Sequence, residues 1–270
     1  MRYDVHTHAF HPKVADKILA QLHDHYGITP VGRGTAPDLL ERLARAGIDR
    51  CAVHNAATAP AQVIPANDFV LGLAKKHPQV IPFGTLHPAD PEWEEALEGL
   101  WKNGVRGIKL HPDFQSFRLD NPALDPIFEA ARGRFCFMIH VGDRLPPDRN
   151  PSCPYKVAKL LDRHPGITVI AAHLGGYLHW QYALECLVGR DVFLDTSSSL
   201  PFLDDATLRE IFSRHAAERI LFGSDYPIFD PGTEAARLQE RMGMSDDALE
   251  HHMSAAATLF GPGAEFEPKV

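Results

Sequence analysis

Eight short strand-like runs recur along this chain, with helical stretches between them. They are Tyr3–Ala9, Arg50–Ala56, Val80–Leu86, Val105–His111, Phe135–Val141, Thr168–His173, Val192–Thr196 and Ile220–Ser224. After the second, strand starts return about every 25 to 30 residues, the length of one strand-plus-helix unit. Most runs are nearly continuous Val, Ile and Phe, as strands read when a parallel sheet is covered on both faces. Such alternation leaves two architectures, a closed (β/α)8 barrel (the TIM barrel) or an open doubly wound sheet. The barrel is preferred, because polar residues sit at the C-terminal ends of strands from both halves of the chain. With 270 residues, 44% of them hydrophobic, the chain can fill a barrel of about 250 residues as one domain.

Helix punctuation agrees. Asp90-Pro91 predicts an N-cap and first helical position, and Asn103-Gly104 the stop. Asn121-Pro122 and Gly133 bracket the next helix. Pro154 to His164 reads as another, as does Leu203 to Ala217, and Ser245 opens a last one ending at Phe260-Gly261. The first connection, about residues 10–47, is too long for a single crossover. It holds two helical stretches, Pro12–Tyr26 and Ala36–Ala46, and is expected to be a helical insertion over the barrel mouth.

Charge and composition narrow the partners. Net charge is −8 and no Lys/Arg-rich block occurs, so nucleic acid is not expected. Apolar stretches such as Phe135 to Val141 are too short to cross a bilayer. The first strand begins almost at residue 1, which leaves no room for a leader. Cys51, Cys136, Cys153 and Cys186 form no Cys-x-x-Cys pair, which fits free thiols in the cytoplasm. The expected partners are a small-molecule substrate and, at most, further copies of the chain.

The strand ends carry the chemistry. In a strand, residues two apart share a face, so His6 and His8 should present two imidazoles together, with Asp4 on their side. Alone the pair is only a polar strand end. Strand four adds Lys109 and His111, strand five His140, strand six His173 and strand eight Asp225. Neutral imidazoles and a carboxylate are zinc-type ligands. His140 and His173 each have a rival reading as hydrogen-bonded core residues, and Asp225 as a helix N-cap before Tyr226-Pro227. For His173, ligand and catalytic roles are equally open. His54 and His87 end strands two and three and can line a pocket with His111. Arg144 can grip a carboxylate, and its rival reading is a solvated loop charge.

In this order of His-x-His, His on strand five, His on strand six and Asp on strand eight, the chain resembles the metal-dependent amidohydrolase superfamily. The resemblance is to the branch of aminocarboxymuconate-semialdehyde decarboxylase-like and amidohydrolase 2 proteins. It implies that His6, His8, His140 and Asp225 bind one divalent metal, with Zn²⁺ the first choice and other divalent ions open. The family's Asn-Ala-x-x-Leu-Phe is altered here to Ala255-Ala256-Ala257-Thr258-Leu259-Phe260. The Lys109-Leu110-His111-Pro112 run is similar to the Lys-Leu-Tyr-Pro of dihydroorotases, where a carboxylated lysine bridges two metals. On that pattern Lys109 and His173 would hold a second ion; the rival, preferred here, is an ammonium that binds a substrate anion.

The activity implied is hydrolysis of a C–N or C–O bond in a small anionic substrate, with Asp225, His173 and Lys109 as catalytic residues. The alternative is non-hydrolytic decarboxylation of an unsaturated or aromatic acid. Related deoxyribonucleases place Glu on strand four, where this chain has Lys109. A non-catalytic structural zinc would be closed and Cys-rich.

Overall fold

The computed structural model describes residues 1–261. Eight parallel strands run in sequential order: β1 (Tyr3–Thr7), β2 (Arg50–Val53), β3 (Val80–Thr85), β4 (Gly107–Leu110), β5 (Cys136–Ile139), β6 (Thr168–Ala171), β7 (Phe193–Asp195) and β8 (Ile220–Leu221). The circle closes between β8 and β1. Val5 N donates to Phe222 O (2.9 Å), Asp225 N to His6 O (2.8 Å) and His8 N to Tyr226 O (2.8 Å). The expected (β/α)8 barrel is therefore the fold, and the open sheet is excluded.

Two apolar layers result. Tyr3, Val5, Ala52, Phe83, Cys136, Met138, Ile170 and Leu221 fill the barrel. Ile108, Leu110, Phe137, Ile139, Val169 and Leu194 face outward into the helix-covered layer. The parity of β4 follows, with Gly107 against the Phe83 ring and Lys109 directed inward. Below, α10 (Asp246–Ser254) and α11 (Ala257–Phe260) close the floor, with Ala256 and Leu259 in the interior cluster. Arg50 at the start of β2 holds the Phe260 carbonyl at 3.2 Å. Among the described residues, no helix is long and apolar enough to cross a membrane.

Helix ends obey local chemistry, with shifts. Asp204 caps α8 (Asp205–Arg214) and Ser245 caps α10 through their side chains. Asp90 does not start a helix. Its carboxylate accepts from Glu92 N in a turn, and α4 (Trp93–Lys102) begins afterwards. Asn121 caps a 3₁₀ turn, Pro122–Leu124, that leads into α5 (Asp125–Ala131). Ser245 opens a pair of helices rather than a single one, because the chain breaks at Ala255. The remaining crossover helices are α3 (Val63–Lys76), α6 (Pro154–Arg163), α7 (Trp180–Cys186) and α9 (Pro231–Met242).

Between β1 and β2 lie α1 (Pro12–Tyr26) and α2 (Ala36–Ala46). They are pinned to the end of β8. Tyr226 Oη donates to Asp38 Oδ2 (2.6 Å) and accepts from Gly34 N (3.1 Å), while Val31 N and Gly32 N both donate to Pro227 O at 3.0 Å. The insertion thus rests directly beside Asp225.

Candidate metal centre

The site begins with a bulge in β1. Asp4 pairs with Cys51 and Thr7 with Val53, three steps against two. One extra residue is inserted, and the strict alternation of faces fails. Val5 packs inside the barrel, yet the next residue, His6, also reaches inward. Asp4 therefore does not share the histidines' face as expected. Its Oδ1 accepts from His6 N (3.1 Å) and Ser224 N (3.0 Å), two backbone donors at the irregular strand junction, and touches no imidazole. Gly223 makes room for this arrangement, since a Cβ there would lie 2.8 Å from His6 Cβ.

Each central imidazole has one nitrogen tied to an acceptor. His6 Nδ1 lies 2.9 Å from Asp195 Oδ2, and His8 Nδ1 lies 2.6 Å from His54 O. His140 Nε2 lies 2.9 Å from Gly142 O, and His173 Nδ1 lies 3.0 Å from Ser197 O. A carbonyl or carboxylate in that position needs the proton on the nitrogen it meets. The other nitrogen of each ring is then a bare lone pair, and these converge. His140 Nδ1 and His173 Nε2 face each other at 2.9 Å. His8 Nε2 and His6 Nε2 face Asp225 Oδ1 at 3.2 and 3.5 Å. The His6 and His173 rings are 5.1 Å apart, so the two pairs adjoin. Lone pairs turned toward one another and toward a carboxylate oxygen are repulsive unless a cation stands among them, and the Lys109 ammonium meets that need only at His6 Nε2, 3.4 Å away. The residues present fit a divalent ion on that ground.

Electrostatics agree. Burial, followed by the charge of Lys109, keeps His6 well below the usual imidazole range, and burial with His111 and His173 does the same for His140. Both are neutral, as ligands must be. Burial pushes Asp225 up, but His6, His8 and His173 outweigh it and hold the carboxyl well below its ordinary value. Ser198 Oγ donates to its other oxygen. Burial lowers Lys109 to about 8 against the pull of Asp225 and Asp195. Its Nζ stands 3.4 Å from His6 Nε2.

His54 ends β2 against the His6 and His8 rings (4.6 and 4.8 Å), and its buried Nδ1 has no protein partner among the described residues. His111 stacks flat on His140 at 3.8 Å, with Phe114 on its other face at 4.1 Å. Its Nδ1 accepts from Phe114 N, and its Nε2 lies 3.4 Å from Tyr26 Oη. His87 is not brought to the cluster; its Nδ1 accepts from Ala89 N in a turn. Arg144 reaches over the mouth but spends a guanidinium nitrogen on Tyr26 O. Its loop is engaged with the insertion, since Asp143 meets His25 Nε2 at 2.8 Å.

Sequence reasoning missed Asp195, Ser197 and Ser198, although a signal exists. Strand seven runs into the polar series Asp195-Thr196-Ser197-Ser198-Ser199, all buried at a strand end. Tyr26, the last residue of α1, and Tyr177, in the turn after β6, pack edge-to-face at 5.8 Å above His111 and His173, and no local pattern foretells those contacts.

A family model described as Amidohydrolase matches residues 3–261. Among solved structures, the chain is similar to the 5-carboxyvanillate decarboxylase of Sphingomonas paucimobilis, with 16% identity over 96% of this chain and 98% of that one, TM-score 0.69. It is similar to a dihydroxybenzoic acid decarboxylase of Polaromonas sp. JS666, solved with manganese and the inhibitor 2-nitroresorcinol, with 18% identity over 96% of each chain and TM-score 0.69. A candidate 2-pyrone-4,6-dicarboxylic acid hydrolase of Pseudomonas putida shares 17% identity over 96% and 97% of the chains, TM-score 0.66. At these identities the likeness is one of fold. No curated protein matches the chain in sequence.

Proposed function

Because the chain belongs to the amidohydrolase family, we propose that it is a divalent-cation-dependent hydrolase of a C–N or C–O bond in a small organic acid. The observation that carries this is a pair of adjoining contacts, His140 Nδ1 facing His173 Nε2 and the Nε2 atoms of His6 and His8 facing Asp225 Oδ1, with the His6 and His173 rings 5.1 Å apart. His6, His8, His140 and Asp225 would hold the cation, with His173 beside it. Three nitrogens and one oxygen suit Zn²⁺; the manganese in the Polaromonas protein makes Mn²⁺ the next choice. When bound, such an ion polarises an oxygen and lowers the pKa of water toward about 7.

The chain's own groups supply the rest. Asp225 is ionised and can take a proton from an attacking water. His173 is anchored through Nδ1 and presents Nε2 to the same space, where it can hold a water or a carbonyl oxygen. Lys109 is the buried cation of the pocket, and at neutral pH most of it is charged. It serves best as the partner of a substrate carboxylate, and the site as one-ion. His54 offers an unused acceptor toward the substrate. The insertion, about residues 10–47, covers one side of the mouth. Four free thiols fit a cytoplasmic setting.

Decarboxylation of an aromatic acid is the second reading, favoured by the named activities of two of the similar structures. The test is elemental analysis of purified protein, followed by a screen of lactones, amides and aromatic acids in ¹⁸O-water. Label in the product with no CO₂ supports hydrolysis, and CO₂ without label supports decarboxylation. Protein that takes up no divalent ion sinks both.

A further inference from the structure

Asp195 is fully buried at the end of β7, and both its oxygens are used. Oδ2 meets His6 Nδ1 at 2.9 Å. Oδ1 accepts from Ser197 N (2.9 Å), His173 N (3.3 Å) and the Ser197 hydroxyl. Ser197 Oγ has one proton, and it goes to the Asp195 carboxylate, which can only accept. The same Oγ lies 3.0 Å from His6 Nδ1 and 2.9 Å from His173 Nδ1, so toward both rings it can only accept. One carboxylate and one hydroxyl thereby face the rear nitrogens of two imidazoles that point forward into the candidate centre. His6, His173 and Asp195 also form a compact group that could be mistaken for a metal site. The atoms used argue otherwise: the histidines show it their protonated Nδ1 atoms.

We propose that Asp195 is a positioning residue which, together with Ser197, locks the protons of His6 and His173 on Nδ1 and so keeps both Nε2 atoms bare for the cation. This rests on the cation-dependent reading above. A ligand histidine whose rear N–H is held by a carboxylate has its ring orientation fixed and its basicity raised, and losing such a partner typically costs about 10- to 100-fold in metal affinity. The relay also joins two roles. Its link to His6 acts on ion binding, and its link to His173 acts on the group that handles substrate.

Asp195→Asn is the informative variant, because the surroundings dictate how the amide turns. The Oδ1 side meets two backbone N–H donors, so the amide oxygen must stay there. The amide NH₂ then faces His6 Nδ1 and forces that nitrogen to accept. The His6 proton moves to Nε2, the atom meant for the cation. Wild type and variant are labelled with ¹⁵N-histidine and stripped with chelator, and long-range ¹H–¹⁵N NMR reads each tautomer, with His6→Gln assigning the signal. Zn²⁺ affinity is measured by competition against a chromogenic chelator, and folding by thermal unfolding of the ion-free proteins.

The expected result is His6 as the Nδ1–H tautomer in wild type and Nε2–H in the variant, with Zn²⁺ bound about 10- to 100-fold more weakly at unchanged ion-free stability. Ser197→Ala, which leaves the Asp195 to His6 contact in place, should lose less ion affinity than Asp195→Asn. An unchanged tautomer together with unchanged affinity overturns the proposal. If wild type binds no ion, the cation-dependent reading fails, while the tautomers of the ion-free proteins still decide the relay. Should Asp195→Asn not fold, His6 found as Nε2–H in wild type overturns it alone.

Discussion

Gly223→Ala tests whether the site is held to sub-ångström tolerance by the barrel. The new methyl would sit 2.8 Å from His6 Cβ, 3.3 Å from Asp195 Oδ1 and 3.3 Å from Ser197 Cβ. Carbon atoms rest at about 3.5 to 4.0 Å, so His6 or β8 must yield by roughly 0.7 Å or more. None of the three neighbours is the free end of a long side chain, and all sit on or beside strands of the closed hydrogen-bonded circle. Overpacking of this kind costs about 1–3 kcal/mol. For a domain of this size that is a fall of roughly 2–12 °C in Tm. Displacing a ligand by up to about 1 Å also costs on the order of 10²-fold in turnover. Calorimetry with and without Zn²⁺, and kcat on the substrate found by the screen, would measure both. A variant with wild-type Tm, ion affinity and kcat would refute the claim that the β1–β8 seam fixes His6.

Further outcomes follow from the same geometry. His173→Asn should lower kcat by roughly 10²-fold while one ion per chain is retained; loss of half the ion from a two-ion protein would point to the binuclear site instead. Lys109→Met should raise KM for an acidic substrate at constant ion content, and unchanged KM and kcat would make Lys109 a bystander. Saturating Zn²⁺ should raise Tm over the chelated protein, since about 2.7 kcal/mol is gained at an ion concentration 100 times Kd; coincident melting curves would contradict that. Burial raises Glu234, on α9, to about 7 from 4.5, opposed by Arg237. Its contribution to stability is thus full below about pH 4.5 and lost as pH rises through about 7. Glu234→Gln should be the more stable protein at pH 8, by roughly 1–3 kcal/mol at about 1.4 kcal/mol per unit, and equal pH profiles for the two proteins would exclude this.

What could be read from the sequence was what depends on local period. The inward parity of Lys109 follows from Ile108 and Leu110, which alternate around it and pack outward. The positions of His140, His173 and Asp225 were legible because β5, β6 and β8 are short apolar runs that end one, two and four residues before them. Period failed in β1. Nothing in Asp4-Val5-His6 signals a bulge: no Gly or Pro marks it, and its cause lies in the closing of β1 onto β8, some 220 residues away. Asp195 escaped for a related reason. Its meaning depends on His6 standing opposite, and a carboxylate at a strand end otherwise reads as a cap. Arg144 looked like a free grip, but whether a loop cation is free is decided by the chain that packs on it, here the Tyr26 carbonyl.

Three consecutive strand ends carry non-glycine residues in the left-handed region: His173 (φ 61°) after β6, Ser198 (φ 46°) after β7 and Asp225 (φ 60°) after β8. Each such residue costs on the order of 1 kcal/mol or more and persists only where its surroundings over-determine it. Here those surroundings can be named. Asp225 is held by His6 O through its N–H and by Ser198 through its side chain. His173 is held at N and Nδ1 by Asp195 and Ser197. Part of the scaffold's stability is thus spent at these strand ends, where His140 Nδ1 and His173 Nε2 also face each other with no donor between them. Neither feature benefits the fold. Both would become favourable with the proposed cation and substrate in the mouth, which is why the strain and the unpaired lone pairs, taken together, argue for chemistry at this end of the barrel more strongly than the presence of histidines alone.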